Sequence, residues 1–242
     1  IAGAVGSAVG WSANWILALW LVRADPPLGV SHRASRTRVG YFMAVLLVGS
    51  AASLVLVSAG LGALLSEVLG VWRPLEGSRL LEDVAGPLLM ALPFVLLAWW
   101  HRHRALGEAL AFDGPDRLTA AQRSARYALA FVGLAGAAIG TFMAVQGLID
   151  HLGASTDFGR TAALRDLVAP GVGMALSGLV LWVPTWRHVR RDLAADPVVV
   201  AGSVPRRAYV LLVSALAVVA TMVSLAYLAY QPIRAVLDAG PV

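Results

Sequence analysis

The residues best suited to hold haem, a chlorin or a metal ion are five histidines, because neutral imidazole is the commonest metal ligand. An embedded cofactor needs such a residue in the middle of an apolar segment, facing another across a bundle. His32, His101, His103, His151 and His188 all fall instead where apolar runs end, which places them at an interface. His101 and His103 are two positions apart, about 200° round a helix, whereas a metal pair needs a spacing of three or four. With no cysteine in the chain, thiolate metal sites, disulfides and cysteine nucleophiles drop out together. No phosphate-binding glycine loop, G-x-S-x-G elbow, H-E-x-x-H pair or Ser, His and Asp arrangement is readable. The acids Glu76, Glu82, Asp83, Asp157 and Asp166 lack the spacing of a calcium loop and form a solvated face. The expectation is therefore a protein that is not an enzyme and carries no cofactor or metal.

Milder polar groups remain. Asn14 and Gln146 are the best candidates for contact with a substrate inside the membrane, although hydrogen bonding between helices is the plainer role for both. Tryptophans gather at one end of alternate apolar runs, followed by arginine or histidine: Trp15 and Trp20, then Trp99 and Trp100, then Trp182 and Trp186. An indole at headgroup depth beside cations is an interface anchor, with a lipid or quinone pocket as the competing reading. Small residues four apart, Gly6 and Gly10, Gly136 and Gly140, Gly173 and Ser177, place a flat helix face where a neighbouring backbone can approach.

The elements that position these residues follow from hydropathy. Of 242 residues 59% are hydrophobic and 14% charged, with a mean hydropathy of +0.75, which excludes an ordinary soluble enzyme. Apolar stretches run at about 1–22, 39–65, 84–100, 127–149, 167–186 and 208–230, with no charged residue at mid-depth in any of them. Only helices satisfy backbone hydrogen bonds across hydrocarbon without the alternating polarity of barrel strands. The expected fold is an all-α polytopic membrane bundle, a single transmembrane domain over 1–242.

All 19 basic residues are arginine, and they alternate by connection. Those after the first, third and fifth spans (23–38, 101–126 and 187–207) hold 14, and the segments after the second, fourth and sixth hold 5. Arginine accumulates on the cytoplasmic side, so those three connections are expected in the cytoplasm and 66–83 and 150–166 outside. That rule also explains the net charge of +5 without invoking nucleic acid. An arginine-only, alanine-rich and glycine-rich composition suggests a GC-rich bacterial genome, so with these spans the expected location is a bacterial cytoplasmic (inner) membrane.

The sequence also repeats itself. Leu81-Glu82-Asp83-Val84-Ala85-Gly86-Pro87 and Leu164-Arg165-Asp166-Leu167-Val168-Ala169-Pro170 are displaced by 83, as are Trp99 and Trp182. Arg38 before Tyr41, Arg126 before Tyr127 and Arg207 before Tyr209 mark the helices between. Two helices per unit of about 83 residues make every copy point the same way across the membrane. In that register Ile1 falls inside a first helix and Leu237-Asp238-Ala239-Gly240-Pro241 opens another unit, so the chain is expected to be an interior portion of a longer protein.

These motifs, with the exit Leu181-Trp182-Val183-Pro184-Thr185-Trp186-Arg187, resemble a bacterial family of uncharacterised multi-spanning membrane proteins built from tandem two-helix repeats, a domain of unknown function. The resemblance implies the architecture and no activity. Two functional expectations follow from the residues. The first is a non-catalytic structural or accessory subunit that lies in the lipid bilayer and packs against other membrane proteins or itself. The second is a small-solute facilitator or lipid-handling protein that uses helices marked by Pro87, Pro93, Pro170 and Pro184. An integral redox subunit would need a bound haem or quinone.

Overall fold

The computed structural model describes residues 36–69 and 81–238, all helical apart from short turns. Expectations placed on 1–35, among them the first span, Gly6, Gly10, Asn14, Trp15 and Trp20, lie outside the described residues. The elements are α1 (Arg36–Val68), a π-helical turn (Leu81–Ala85), α2 (Gly86–Gly153), α3 (Asp157–Ala163), a second π-helical turn (Leu164–Val168), α4 (Ala169–Ala195), α5 (Pro197–Ala201) and α6 (Val204–Asp238). Five stretches are long and apolar enough to cross a membrane: Met43–Val68, Glu82–Arg104, Gln122–Gly153, Asp157–Ala195 and Val204–Tyr230. They correspond to the second to sixth apolar runs of the sequence.

Helix continues through the arginine-rich connections. The backbone at 101–126 is helical throughout, and α4 runs on to Ala195, well past the apolar run ending at 186. A bilayer core asks for about 20 residues, but nothing ends a helix at its surface when Ala, Leu and Arg, all good helix formers, follow. Sequence hydropathy marks where lipid ends. It does not mark where the helix ends.

The 68-residue α2 would be about 100 Å long if straight. Ala98 and Ala125 share one buried cluster with Leu46 of α1, yet 27 residues of straight helix would hold them about 40 Å apart. The run therefore doubles back between Arg104 and Gln122, giving a first limb that ends near Arg104 and a second that begins near Gln122. The loop expected at 101–126 is thus a reversal made within a helical backbone.

The π-helical turns sit 83 residues apart, each ending two residues before a proline, Pro87 or Pro170. Proline donates no hydrogen bond and its ring crowds the carbonyl four residues back, which here belongs to Asp83 or Asp166. Widening the preceding turn relieves that carbonyl, and this is why the same local geometry recurs with the same motif.

The chain divides into two compact units, Ile1–Arg191 and Asp192–Val242. In the first, α1 lies antiparallel to the first limb, with Gly49 beside Phe94 and Ala98 and Gly60 beside Val84 and Leu88. It also meets the second limb through Leu54 against Gly136, and α4 through Gly62 against Pro170. The second limb and α4 form another antiparallel pair. Ser50, Ser53, Ser58 and Ser66 of α1 are all buried. In the second unit, α5 is capped by Asp196, whose carboxylate accepts from the Val199 amide at 3.2 Å, and α6 is apolar on most of its circumference.

Candidate functional site

The closest packing in the first unit is a seam between the second limb and α4, built from residues with almost no side chain. A Cβ placed on Gly133 would lie 2.7 Å from the Trp182 amide nitrogen and 2.9 Å from the Gly178 carbonyl oxygen. On Gly171 it would lie 2.5 Å from the Ala144 nitrogen and 2.8 Å from the Gly140 oxygen. Gly140 faces the backbone of Ala175 and Gly171 as closely, and Gly178 that of Ala137 and Gly133. Contacts this short are made by backbone atoms, which cannot rotate away, so only glycine fits. A third helix joins at Gly173, whose Cβ position lies 2.8 Å from the Ser58 oxygen and 2.9 Å from the Gly62 nitrogen of α1.

The small residues singled out in the sequence divide between these contacts. Gly140 belongs to the seam, Gly136 faces the Leu54 side chain of α1, and Gly173 faces α1 at Ser58 and Gly62. Ser177 donates its hydroxyl to the Gly173 carbonyl at 2.8 Å, within its own helix. Sequence reasoning missed Gly133, Gly171 and Gly178. Their signal was the spacing of seven: Gly133, Gly140 and Gly147 drift only about 20° per step on a helix, as do Gly171 and Gly178, whereas a spacing of four turns through about 40°.

Polar groups inside the spans mostly satisfy themselves. Ser53, Ser58, Thr141, Ser177, Thr185, Thr221 and Ser224 each donate to the carbonyl four residues back on their own helix, at 2.6–2.8 Å. In hydrocarbon this is the cheapest way to place a hydroxyl, since no water competes for it. Gln146 is partly buried and its amide donates to Asp150 Oδ1 at 3.0 Å, one turn toward the helix end. Replacing Gln146 with leucine is expected to change thermal stability in detergent by less than about 1 kcal/mol, the scale of a single polar contact in a membrane bundle. A loss of several kcal/mol on melting would show that Gln146 holds helices together.

His101 is 2% exposed, so it is buried rather than turned to the interface as its position in the sequence suggested. Its Nδ1–H donates to the Leu97 carbonyl at 2.9 Å, and the neighbouring Trp100 ring meets it edge-on at 4.8 Å. His103 and His188 make the same bond to Trp99 and Pro184, and His151 reaches the Arg160 carbonyl at 3.0 Å. A carbonyl only accepts, so Nδ1 carries the proton in each. Among the described residues no three His, Cys, Asp or Glu side chains converge as a metal site would require.

The described tryptophans lie toward one end of the first unit. Trp99 is exposed and packs on His103 at 4.4 Å, Arg104 lies 5.6 Å over the Trp100 ring, and Trp182 stacks on Trp186 at 6.2 Å. The contacts that pair the helices define the two ends. Gly60 with Val84, Gly62 with Pro170 and Gly147 with Val168 mark one, and Ala98 with Ala125 and Gly133 with Trp182 mark the other. Glu67, Glu82, Asp83, Asp150, Asp157 and Asp166 fall beyond the first set, and Arg102, Arg104, Arg123, Arg126, Arg187, Arg190 and Arg191 beyond the second.

The seam lies within a segment that a family model matches. Residues 123–242 match the domain of unknown function DUF5671. The DUF5671 match begins one residue into the second apolar limb and takes in α3 to α6, including Gly133, Gly140, Gly171, Gly178 and the second π-helical turn. No curated protein and no solved structure matches the chain.

Proposed function

We propose that this chain is a non-catalytic structural or accessory subunit of a bacterial cytoplasmic membrane, which packs against other membrane proteins or against copies of itself. The observation that carries the reading is the seam at Gly133, Gly140, Gly171 and Gly178. Backbone contact there leaves no room between the second limb and α4 for a solute, and the hydroxyls of Thr141 and Ser177 beside it are bonded within their own helices. Helix surfaces that have no such partner present large apolar side chains, among them Leu89, Leu92, Val95 and Leu96 on the first limb. Side chains of that kind suit lipid and neighbouring helices equally well.

The finer architecture belongs to the same proposal. The chain consists of tandem two-helix units of about 83 residues that point the same way across the membrane. In support, Gly49 meets Ala98 as Gly133 meets Trp182, each partner displaced by 84, and both π-helical turns share one register. Connections 23–38, 101–126 and 187–207 face the cytoplasm, as their arginine content requires. The test is extraction from native membrane in an amphipathic polymer that keeps its lipid, followed by sizing and mass spectrometry. A stoichiometric partner or a defined homo-oligomer is the expected result, and a stable monomer with nothing bound to it would refute the proposal.

A further inference from the structure

We propose that the arginine end of the first unit is a docking surface for the headgroups of anionic phospholipids. The side chains concerned are Arg102 and Arg104 of the first limb, Arg123 of the second, and Arg187, Arg190 and Arg191 of α4. Their heights follow from the helix contacts. Ala98 is level with Ala125, and the pairing of Gly133 with Trp182 and Gly178, and of Gly140 with Ala175 and Gly171, carries that level onto α4 close to His188. At 1.5 Å per residue the six guanidinium-bearing residues then fall within a band about 10 Å deep, comparable to one headgroup layer.

Charge makes the surface specific. None of the six forms an ion pair with a described acidic residue, whereas at the opposite end Arg160 pairs with Asp157 and Arg165 with Asp166. Arg123 is the sharpest case, since its Nε is buried without a hydrogen-bond partner while the other five side chains are exposed. A guanidinium fork matches a phosphodiester with two parallel N–H···O bonds, and Arg123 supplies a donor already withdrawn from water. Trp100, with Arg104 against its ring, lies within the band and the stacked pair Trp182 and Trp186 lies just below it, all rings of the kind that settle at headgroup depth. A soluble anion would use the same forks but gain nothing from the apolar wall just below them, which is where acyl chains lie. The inference stands whether or not the chain also packs against a protein partner.

The experiment is native mass spectrometry of the full chain in neutral detergent, with equimolar phosphatidylglycerol and phosphatidylcholine added. Retention of phosphatidylglycerol at least tenfold above phosphatidylcholine is expected, with the double variant R123Q/R190Q abolishing that preference and R165Q at the other end leaving it intact. Because Arg123 is partly buried, R104Q/R190Q serves as an exposed-only variant and is expected to cut the preference at least threefold. Equal retention of both lipids, an unchanged preference in both double variants, or displacement of the lipid by millimolar inorganic phosphate would overturn the proposal.

Discussion

Replacing Gly140 with leucine is expected to prevent the second limb and α4 from packing, at a cost of at least about 3 kcal/mol, and to leave the protein aggregated or degraded in the membrane. The penalty for overpacking is commonly about 1–3 kcal/mol when neighbouring side chains can yield. Here the obstruction is the backbone of Ala175 and Gly171, so the whole helix must move, and the reciprocal contacts at Gly133, Gly171 and Gly178 would open with it. Gly86 supplies the control, because a Cβ there meets nothing within 4 Å. Gly86→Ala should be neutral or slightly stabilising, since alanine exceeds glycine in helix propensity by about 1 kcal/mol. Melting in detergent, followed by loss of circular dichroism and by light scattering, distinguishes the two. Equal melting temperatures for Gly140→Leu and the parent chain would show that the seam does not hold the bundle together.

The second large effect concerns the solvent. Val218 lies near the middle of α6 and is 58% exposed. In water an exposed valine exchanged for arginine is close to neutral, within about 0.5 kcal/mol. In hydrocarbon the same exchange costs about 3 kcal/mol at the centre of a span, roughly a hundredfold in the insertion equilibrium. Val218→Arg should therefore release α6 from the bilayer while the other spans stay inserted, seen as new protease cleavage within α6 and as loss of its membrane-protected fragment. Val198 on α5 is 81% exposed but lies outside any apolar run, so Val198→Arg should change neither readout. Identical behaviour of the two variants would mean that α6 is not surrounded by lipid.

Much of this arrangement was legible in the sequence because lipid imposes a simple requirement. Five of the six apolar runs reappear as membrane-length helices, and no fine packing had to be known to find them. Helix ends were not legible, since α4 continues over Arg187, Arg190 and Arg191 through residues as willing to be helical in water as in lipid. The reversal inside α2 was hidden for the same reason. Glycine pairs four apart led to Gly136, Gly140 and Gly173, but which glycine meets which helix depends on how the two limbs and α4 are set side by side, and the pairs seven apart took the closest contacts. His101 illustrates the limit most clearly. Its neighbours Arg102 and His103 are exposed and suggested an interface, whereas its own position on the helix turns it into the protein. The π-helical turns were visible only as a motif, leucine to aspartate to proline. The physical cause, a carbonyl robbed of its donor by the proline four residues on, emerges once the helix is seen to widen there.

The chain lacks cysteine, so single cysteines report sidedness without background. Phe158 on α3 and Val198 on α5 are both 81% exposed and lie in connections assigned to opposite faces of the membrane. In intact cells a membrane-impermeant maleimide is expected to label Phe158→Cys at once and Val198→Cys only after permeabilisation. Labelling of both from the same side, or the reverse order, would contradict a chain whose arginine-rich connections face the cytoplasm across a bilayer.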